Sequence, residues 1–149
     1  MEQIVDGLCA SRNFYQRMLK PVCDRYGLTS AEMNVLMYLS ENPEENTSRD
    51  IGEKMQMKKS IVSISLKDLQ QRNLIRSEYT DGNRRSLHSF IEADALPIAE
   101  EGKKTLAQYS DIVTRGFTEK EKENFVEILE KIKENISAFS LMEEGAYED

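Results

Sequence analysis

The chain has 149 residues, a formal net charge of -7, and 32% charged against 39% hydrophobic side chains. This length suits one domain, 1–149, with a buried core, and the composition is typical of a mainly helical soluble protein. No stretch approaches the roughly 20 apolar residues of a membrane span, and the N-terminus lacks a signal-peptide pattern. We therefore expect a cytoplasmic protein with no membrane partner.

The first predicted element is a helix over about residues 1–27. Mostly apolar side chains recur at steps of three or four residues from Ile4 to Val22, which gives the helix an apolar stripe that needs a partner surface. Pro21 either kinks this helix or divides it in two. Cys9 and Cys23 would lie about 21 Å apart along one continuous helix, too far to form a disulfide. Cys23 is expected to be a small core residue.

Helix-start signals predict the next two helices. Thr29 and Glu32 have the spacing of a capping box, in which the threonine caps the helix and the glutamate reaches back to the cap amide. Thr47 or Ser48 caps the following helix, where backbone amides suit a phosphate group. The side chains expected to face inward from these two helices are Met33, Leu36, Met37, Leu39, Ile51 and Met55.

The next helix, from about Lys58 to Asn73, has two different faces. Val62, Leu66 and Leu69 share one face by their i, i+4, i+7 spacing and are expected to pack on the domain. Small polar and basic side chains occupy the other face, where small groups let a helix approach base edges and lysines meet phosphates. The same residues would also suit a plain solvated face. This outer ridge consists of Lys59, Ser60, Ser63 and Lys67.

A β-hairpin is predicted directly after this helix. Arg76–Thr80 and Ser86–Ile91 read as strands, and residues 81–83, Asp-Gly-Asn, give a strong turn signal. Arg84 and Arg85 follow at the tip, where adjacent arginines make no core. Arginines at this position can reach into a narrow minor groove of DNA or bind its phosphates. The alternative is an ordinary turn exposed to solvent.

The remaining predicted elements are two helices. The first runs from about Ile98 to Arg115 and ends at Gly116. Thr118 and Glu121 form another capping box, with Phe117 before it as a hydrophobic staple. The last helix carries an apolar stripe suited to a core or a dimer seam, and residues 142–149 form an acidic, frayed tail. The members of this stripe are Phe125, Ile128, Leu129, Ile132, Ile136 and Phe139.

These segments, in this order, resemble the MarR family of winged-helix transcription regulators over nearly the whole chain. No single motif is decisive, and the ordered set carries the resemblance. Its members are Leu28-Thr29-Ser30-Ala31-Glu32, Asp50-Ile51-Gly52, Lys59-Ser60-Ile61-Val62-Ser63, Leu69, Leu74-Ile75-Arg76, Arg84-Arg85-Ser86, Glu100-Glu101-Gly102-Lys103 and Phe117-Thr118-Glu119-Lys120-Glu121.

The resemblance implies a mainly α fold with a small β-hairpin wing. A winged helix-turn-helix over about 29–92 would be flanked by dimerisation helices, 1–27 and 96–141, in a homodimer that binds a palindromic operator in double-stranded DNA. The DNA-contacting residues we predict are Ser48, Lys58, Lys59, Ser60, Ser63, Ile64, Lys67, Arg72, Asn83, Arg84 and Arg85. A small-molecule effector would lie near Phe14, Tyr15, Met18, Met33, Met37 and Tyr38, side chains that equally suit an ordinary core.

The sequence departs from the family pattern in three places. Residues 87–97 are several residues longer than usual, which predicts a longer second strand and an extra loop. Asn83 stands at a position where the family commonly has an aspartate that anchors a wing arginine. Ile61 and Ile64 occupy positions that are often polar or basic: either one of them is packed inside, or Ile64 reaches a thymine methyl.

Charge is distributed unevenly along the chain. Residues 53–85 hold eight Lys/Arg against four Asp/Glu, whereas residues 91–149 hold seven against fifteen. A basic surface on an acidic molecule suits DNA binding. His88 is expected on the wing surface or in contact with DNA. The chain has one histidine and two cysteines without a short Cys/His spacing, so we expect no metal site and no cofactor.

We therefore predict a DNA-binding regulator, not an enzyme, acting as a repressor that an effector releases. One alternative is a winged-helix protein-interaction module without DNA binding. Another is an oxidant-sensing repressor that uses Cys9, which lies about one helical turn from the reactive cysteine of the family's organic-hydroperoxide sensors.

Overall fold

The computed structural model describes residues 2–80, 82 and 84–146. It confirms a mainly helical fold with one antiparallel hairpin, whose strands pair from Ile75↔Ile91 to Tyr79↔Leu87. In chain order the elements are α1 Glu2–Tyr26, α2 Ser30–Glu41, α3 Ser48–Met55, α4 Lys59–Gln71, β1 Ile75–Tyr79, β2 Leu87–Ile91, a 3₁₀ turn Ala93–Ala95, α5 Leu96–Val113 and α6 Glu119–Ala146.

The chain forms two compact units, Met1–Val113 and Thr114–Asp149. The first contains the buried core, to which every helix from α1 to α5 and the hairpin contribute. The inward positions predicted for α2 are confirmed, since all four side chains are buried. The largest fully buried apolar side chains are Leu19, Met33, Val35, Leu36, Ile51, Val62 and Leu69.

Helix α1 is continuous through Pro21, so its division into two pieces is wrong. It ends at Gly27, whose φ of 63° is the left-handed conformation that glycine adopts without strain. The amide of Leu28 donates to the carbonyl of Cys23 at 2.9 Å, and the amide of Gly27 donates to that of Asp24 at 3.2 Å. This pair of bonds is a Schellman motif.

Threonine capping boxes start three of the described helices. At α2, the Glu32 amide donates to Thr29 Oγ1 at 3.1 Å and Glu32 Oε2 accepts from the Thr29 amide, as predicted. The predicted box of Thr118 and Glu121 is confirmed in the same way at α6. At α3 the cap is Thr47, whose partner is Asp50, and Ser48 is the first helical residue.

Helices α2 and α5 approach closely at Gly102. A Cβ atom at this position would lie 2.8 Å from Met37 Sδ and 2.9 Å from Met33 Sδ. These distances are below van der Waals contact, so a larger residue would force the two methionines or the helices apart. The sulfur atoms of Met33 and Met37 therefore fill the space that the missing side chain leaves.

The segment after the hairpin is more regular than the sequence indicates. Strand β2 has five residues, the same as β1, and its expected extra length relative to the family stays a prediction. The expected loop is a 3₁₀ turn that leads directly into α5, with Pro97 in the first helical turn, where its missing N–H costs nothing.

The Thr114–Asp149 unit consists mainly of α6. Its Phe117 and Phe125 rings pack edge to face with their centroids 5.8 Å apart. The helix continues to Ala146, beyond residue 141 where the predicted helix ends, and residues 147–149 lie outside the described part. None of the helices in the described ranges combines the length and hydropathy needed to cross a membrane.

Candidate nucleic-acid interface

Helix α4 has the two faces predicted from its spacing. Val62 and Leu69 are fully buried, and Ser65 between them is buried as well. Since Leu66 is partly buried against the same core, the predicted packing stripe is confirmed. All four residues of the predicted outer ridge, Lys59, Ser60, Ser63 and Lys67, are exposed.

The start of α4 differs from the starts of α2, α3 and α6. Its N-cap residue is Lys58, which makes no side-chain capping hydrogen bond, and the first turn contains no acidic residue. The first intrahelical bonds run from the amides of Ile61 and Val62 to the carbonyl of Lys58, at 3.0 and 3.1 Å. The amides of Lys59 and Ser60 precede them, at the positive end of the helix dipole.

Both isoleucines of α4 are exposed, Ile61 by 41% and Ile64 by 61%, so the expectation that one of them is packed inside is wrong. The reason is helical geometry. At about 100° per residue, Ile61 lies about 100° around the helix from the buried Val62, and Ile64 lies about 40° from Ser60, at the edge of the outer ridge.

Sequence reasoning missed one exposed residue on this ridge. Ile64, Lys67 and Gln71 follow Ser60 at i+4, i+7 and i+11, and the Gln71 side chain is exposed. The signal was the same spacing, continued by one more turn. A glutamine amide can both donate to and accept from a base edge.

Positive charge on the ridge has no internal compensation in the described part of the chain. Neighbouring cations pair with carboxylates: Lys54 with Glu45 at 3.4 Å and Arg49 with Glu53 at 2.9 Å. Among the residues that the structure describes, no carboxylate lies within ion-pair distance of Lys58, Lys59 or Lys67.

The hairpin presents Arg84 and Arg85 in its turn, and both are exposed. Gly82 precedes them with a φ of 68°. Asp81 and Asn83 lie outside the described residues, so the predicted roles of these two positions stay predictions. At the base of the hairpin, the Arg76 guanidinium lies 4.8 Å from the centroid of the Phe90 ring.

His88 connects the hairpin to the α2–α3 loop. Its Nδ1 atom lies 2.5 Å from Oδ1 of Asn46, a side chain that is only 1% exposed. The Ser89 amide donates to the Asn46 carbonyl at 3.0 Å, and His88 pairs with Thr47 in an antiparallel bridge. His88 is half-buried in this contact, so the expected position on the wing surface is corrected to a partly buried one, where β2 meets the α2–α3 loop. Ser48, next to Thr47, is exposed.

Arg72 has a different setting from the other predicted DNA contacts. Its Nη1 atom donates to the Gly27 carbonyl at 3.0 Å, and its Nη2 atom donates to the Tyr26 carbonyl at 2.6 Å. The guanidinium is thus directed to the end of α1. We therefore leave Arg72 out of the candidate interface.

The residues predicted for an effector pocket divide into two groups. Met33 and Met37 are buried in the core, whereas Phe14, Tyr15, Met18 and Tyr38 are half-buried. Tyr15 donates its hydroxyl to Asn34 Oδ1 and packs edge to face on Tyr109, with ring centroids 5.5 Å apart. Burial raises the pKa of both Tyr15 and Tyr38 above the ordinary value for tyrosine.

The two cysteines are free and lie in different environments. Cys23 is buried, as expected for a core residue, and burial raises the pKa of its thiol, which disfavours the reactive thiolate. Cys9 is exposed on α1. Its predicted redox role stays a prediction, which oxidant-driven DNA release in a Cys9→Ser variant would test. Within the described ranges, no three His, Cys, Asp or Glu side chains are grouped to hold a metal ion.

Comparison with known proteins supplies the family. A sequence model of the MarR family matches residues 26–86, from the end of α1 to the start of β2. The transcriptional regulator ZitR of Lactococcus lactis subsp. cremoris is 29% identical over 111 residues, which are 72% of this chain and 74% of ZitR. A solved structure of a Lactococcus lactis ZitR variant matches at 30% identity, with a TM-score of 0.52 over 72% of this chain and 75% of that one.

More distant solved structures share the fold. A MarR family regulator from Silicibacter pomeroyi has a TM-score of 0.75 at 23% identity, over 87% of this chain and 86% of its own. BpsR of Bordetella bronchiseptica, whose DNA binding is regulated by 6-hydroxynicotinic acid, has a TM-score of 0.71 at 18% identity, over 87% and 98% of the two chains. Taken with the family match across the helix-turn-helix and the identity to ZitR, these likenesses show that the chain belongs to the MarR family, whose members are transcriptional regulators and not enzymes.

Proposed function

We propose that this regulator is a cytoplasmic homodimer that represses transcription by binding a palindromic operator in double-stranded DNA. The observation that carries the proposal is the outer ridge of α4. There Lys59 and Lys67 are exposed without carboxylate partners among the described residues, in a chain whose net charge is -7. Because an acidic surface repels DNA, a lysine ridge beside small serines is the surface suited to contact it.

The proposed binding mode assigns a role to each part of the winged helix. Helix α4 enters the major groove, where Ser60 and Ser63 allow close approach and Ile64 meets a thymine methyl. Lys58, together with the uncapped amides of α4, contacts a phosphate. Ser48 contacts a second phosphate at the start of α3. Arg84 and Arg85 of the wing reach the minor groove or its phosphates.

Exposed apolar residues support a dimer. On α1, Ile4, Val5 and Leu8 are each at least half exposed. On α6, the predicted apolar stripe is also mostly exposed in the single chain, with Ile128 and Phe139 among its members. Exposed apolar side chains on a helix, as found on each of these two, mark a protein interface. A second copy related by a two-fold axis would cover it and would present two α4 helices to the two half-sites of a palindrome.

An effector is the third part of the proposal. BpsR shares the fold, and 6-hydroxynicotinic acid regulates its DNA binding. We propose that a small molecule likewise releases this protein from DNA, and that the half-buried Phe14, Tyr15, Met18 and Tyr38 are the side chains that meet it. Met33 and Met37 support these residues from the core.

Removal of the wing arginines tests the DNA-binding mode. Fluorescence anisotropy would measure binding to the DNA upstream of the protein's own gene at several salt concentrations. The double variant Arg84→Ala/Arg85→Ala is expected to bind more weakly, and its salt slope should fall by about 0.9 for each phosphate that the variant no longer neutralises.

The matched control for this experiment removes two cations from the exposed side of α1, in the variant Arg12→Ala/Lys20→Ala, and should leave the slope unchanged. Unchanged affinity and slope in the wing variant would contradict the wing assignment. If the parent protein binds neither this DNA nor any fragment selected from random sequence, the protein-interaction module becomes the better explanation.

A further inference from the structure

The side chain of Arg72 extends from the end of α4 and binds the end of α1. Arg72 is the C-cap residue of α4, and its own amide donates to the carbonyls of Asp68 and Gln70. Its guanidinium then makes two hydrogen bonds, at 2.6 and 3.0 Å, to the carbonyls of Tyr26 and Gly27. One residue therefore ends α4 and binds the end of α1, 45 or 46 positions earlier in the chain.

The end of α1 is a suitable acceptor for a guanidinium. The last carbonyls of a helix lack intrahelical partners and carry the negative end of the helix dipole. The Schellman turn at Gly27 uses the carbonyls of Cys23 and Asp24 and leaves those of Tyr26 and Gly27 to Arg72. The planar fork of arginine supplies two parallel N–H donors in one rigid group, which a lysine does not.

The same end of α1 is also bound to α5. Tyr26 donates its hydroxyl to Glu101 Oε2 at 2.5 Å, and Arg25 forms an ion pair with the Glu101 carboxylate. Tyr26 thus contacts α4 through its carbonyl and α5 through its hydroxyl. Its two polar groups join α1, α4 and α5 at one point.

We propose that Arg72 is a positioning residue that sets the orientation of α4 toward DNA without touching DNA itself. The inference rests on the proposed function. Helix α4 has no side-chain cap at its start, while its end is held by two charge-assisted hydrogen bonds. Thirteen residues span about 20 Å, so a tilt of about 10° moves one end by about 3 Å relative to the other. A displacement of that size would misalign the outer ridge with base edges.

The salt dependence of binding distinguishes positioning from direct contact. Arg72→Ala is expected to weaken operator binding about tenfold with an unchanged salt slope, because the Arg72 side chain neutralises no phosphate. Lys67→Ala, at a proposed phosphate contact, should instead lower the slope. Arg72→Lys, which keeps the charge but donates from a single nitrogen, should give intermediate affinity. A slope that falls by about 0.9 per protomer in Arg72→Ala would overturn the proposal in favour of a phosphate contact.

A distance measurement tests the geometry without DNA. Spin labels at Asp6→Cys on α1 and Ser63→Cys on α4, in a Cys9→Ser background diluted with unlabelled chains, report the orientation of the two helices. The distance distribution should broaden in Arg72→Ala and narrow again in Arg72→Lys. If Arg72→Ala does not fold, Arg72→Gln takes its place.

An unchanged distribution would overturn the proposal, whether or not the parent protein binds DNA. Conversely, Arg72→Ala could broaden the distribution although the parent protein binds no DNA. That result would support the contact of Arg72 with the end of α1 and remove only the proposed function.

Discussion

The starts of α3 and α4 are adjacent in the helix-turn-helix and are built in opposite ways. At α3, Thr47 and Asp50 satisfy each other's backbone amides in a capping box. At α4, the cap residue is Lys58, no side chain closes the helix, and Lys59 adds a second cation at the positive end of the dipole. A cap is worth about 1 kcal/mol, so α4 forgoes stability that its neighbour has. The difference indicates that the start of α4 leaves its backbone amides to an external anion, whereas at α3 the Thr47 and Asp50 amides are already bound and the proposed phosphate contact is left to the Ser48 side chain.

The largest effect on operator affinity is expected when the exposed lysines of α4 are removed. Lys59→Ala/Lys67→Ala should weaken operator binding by about 100-fold and reduce its salt slope, since each protomer then neutralises two phosphates fewer. The stability of the free protein should change by less than about 0.5 kcal/mol, because both side chains are exposed. Anisotropy titrations and urea unfolding measure the two quantities.

Lys131→Ala/Lys133→Ala, on exposed positions of α6, serves as the charge-matched control for that experiment. An equal decrease of affinity in the two double variants would mean that net charge alone, and not the ridge, governs binding.

A cap installed at α4 should change stability and binding in opposite directions. Lys58→Asp provides an acceptor for the free amides and a negative charge at the positive end of the dipole. It is expected to stabilise the free protein by about 1 kcal/mol. The same carboxylate would repel a phosphate, so operator binding should weaken about tenfold. Lys54→Asp, in the last turn of α3, is the control for charge. A variant that gains no stability and binds DNA normally would remove the distinction between the two helix starts.

The smallest effect on DNA binding is expected when the cap of α3 is removed. Thr47→Ala removes the capping hydroxyl, which should cost about 1 kcal/mol of the free energy of unfolding. The salt slope of DNA binding should stay the same, because the cap contacts protein and not phosphate. Thr118→Ala, at the equivalent box of α6, is the comparison in the other compact unit of the chain. A reduced slope in Thr47→Ala but not in Thr118→Ala would mean that the start of α3 also holds phosphate through its threonine.

Local signals in the sequence were enough to predict most of the helices and their buried faces. The spacing of Thr29 and Glu32 and that of Thr118 and Glu121 predicted two helix starts, because a capping box is complete within four residues. The period of Val62 and Leu69 predicted the buried face of α4 for a similar reason. Interactions of this kind need no knowledge of the rest of the chain.

The contacts that the sequence did not predict join distant segments. The bond of Arg72 to the end of α1 spans more than forty residues, and that of His88 to Asn46 also spans more than forty. Composition gives no sign of either. The exposure of both Ile61 and Ile64 was missed because hydrophobicity favours burial, while the angle of the helix decides which side chains reach the core.

The link between Asn46 and the hairpin also affects the outer edge of the small sheet. The Ser89 amide and the Thr47–His88 bridge give β2 a main-chain neighbour on the side away from β1. An incoming strand from another molecule therefore finds hydrogen-bonding groups of β2 already occupied, and β1 carries exposed charges at Arg76 and Glu78. Occupied and charged edges resist strand addition, so this two-stranded wing can stay exposed in solution without seeding aggregation.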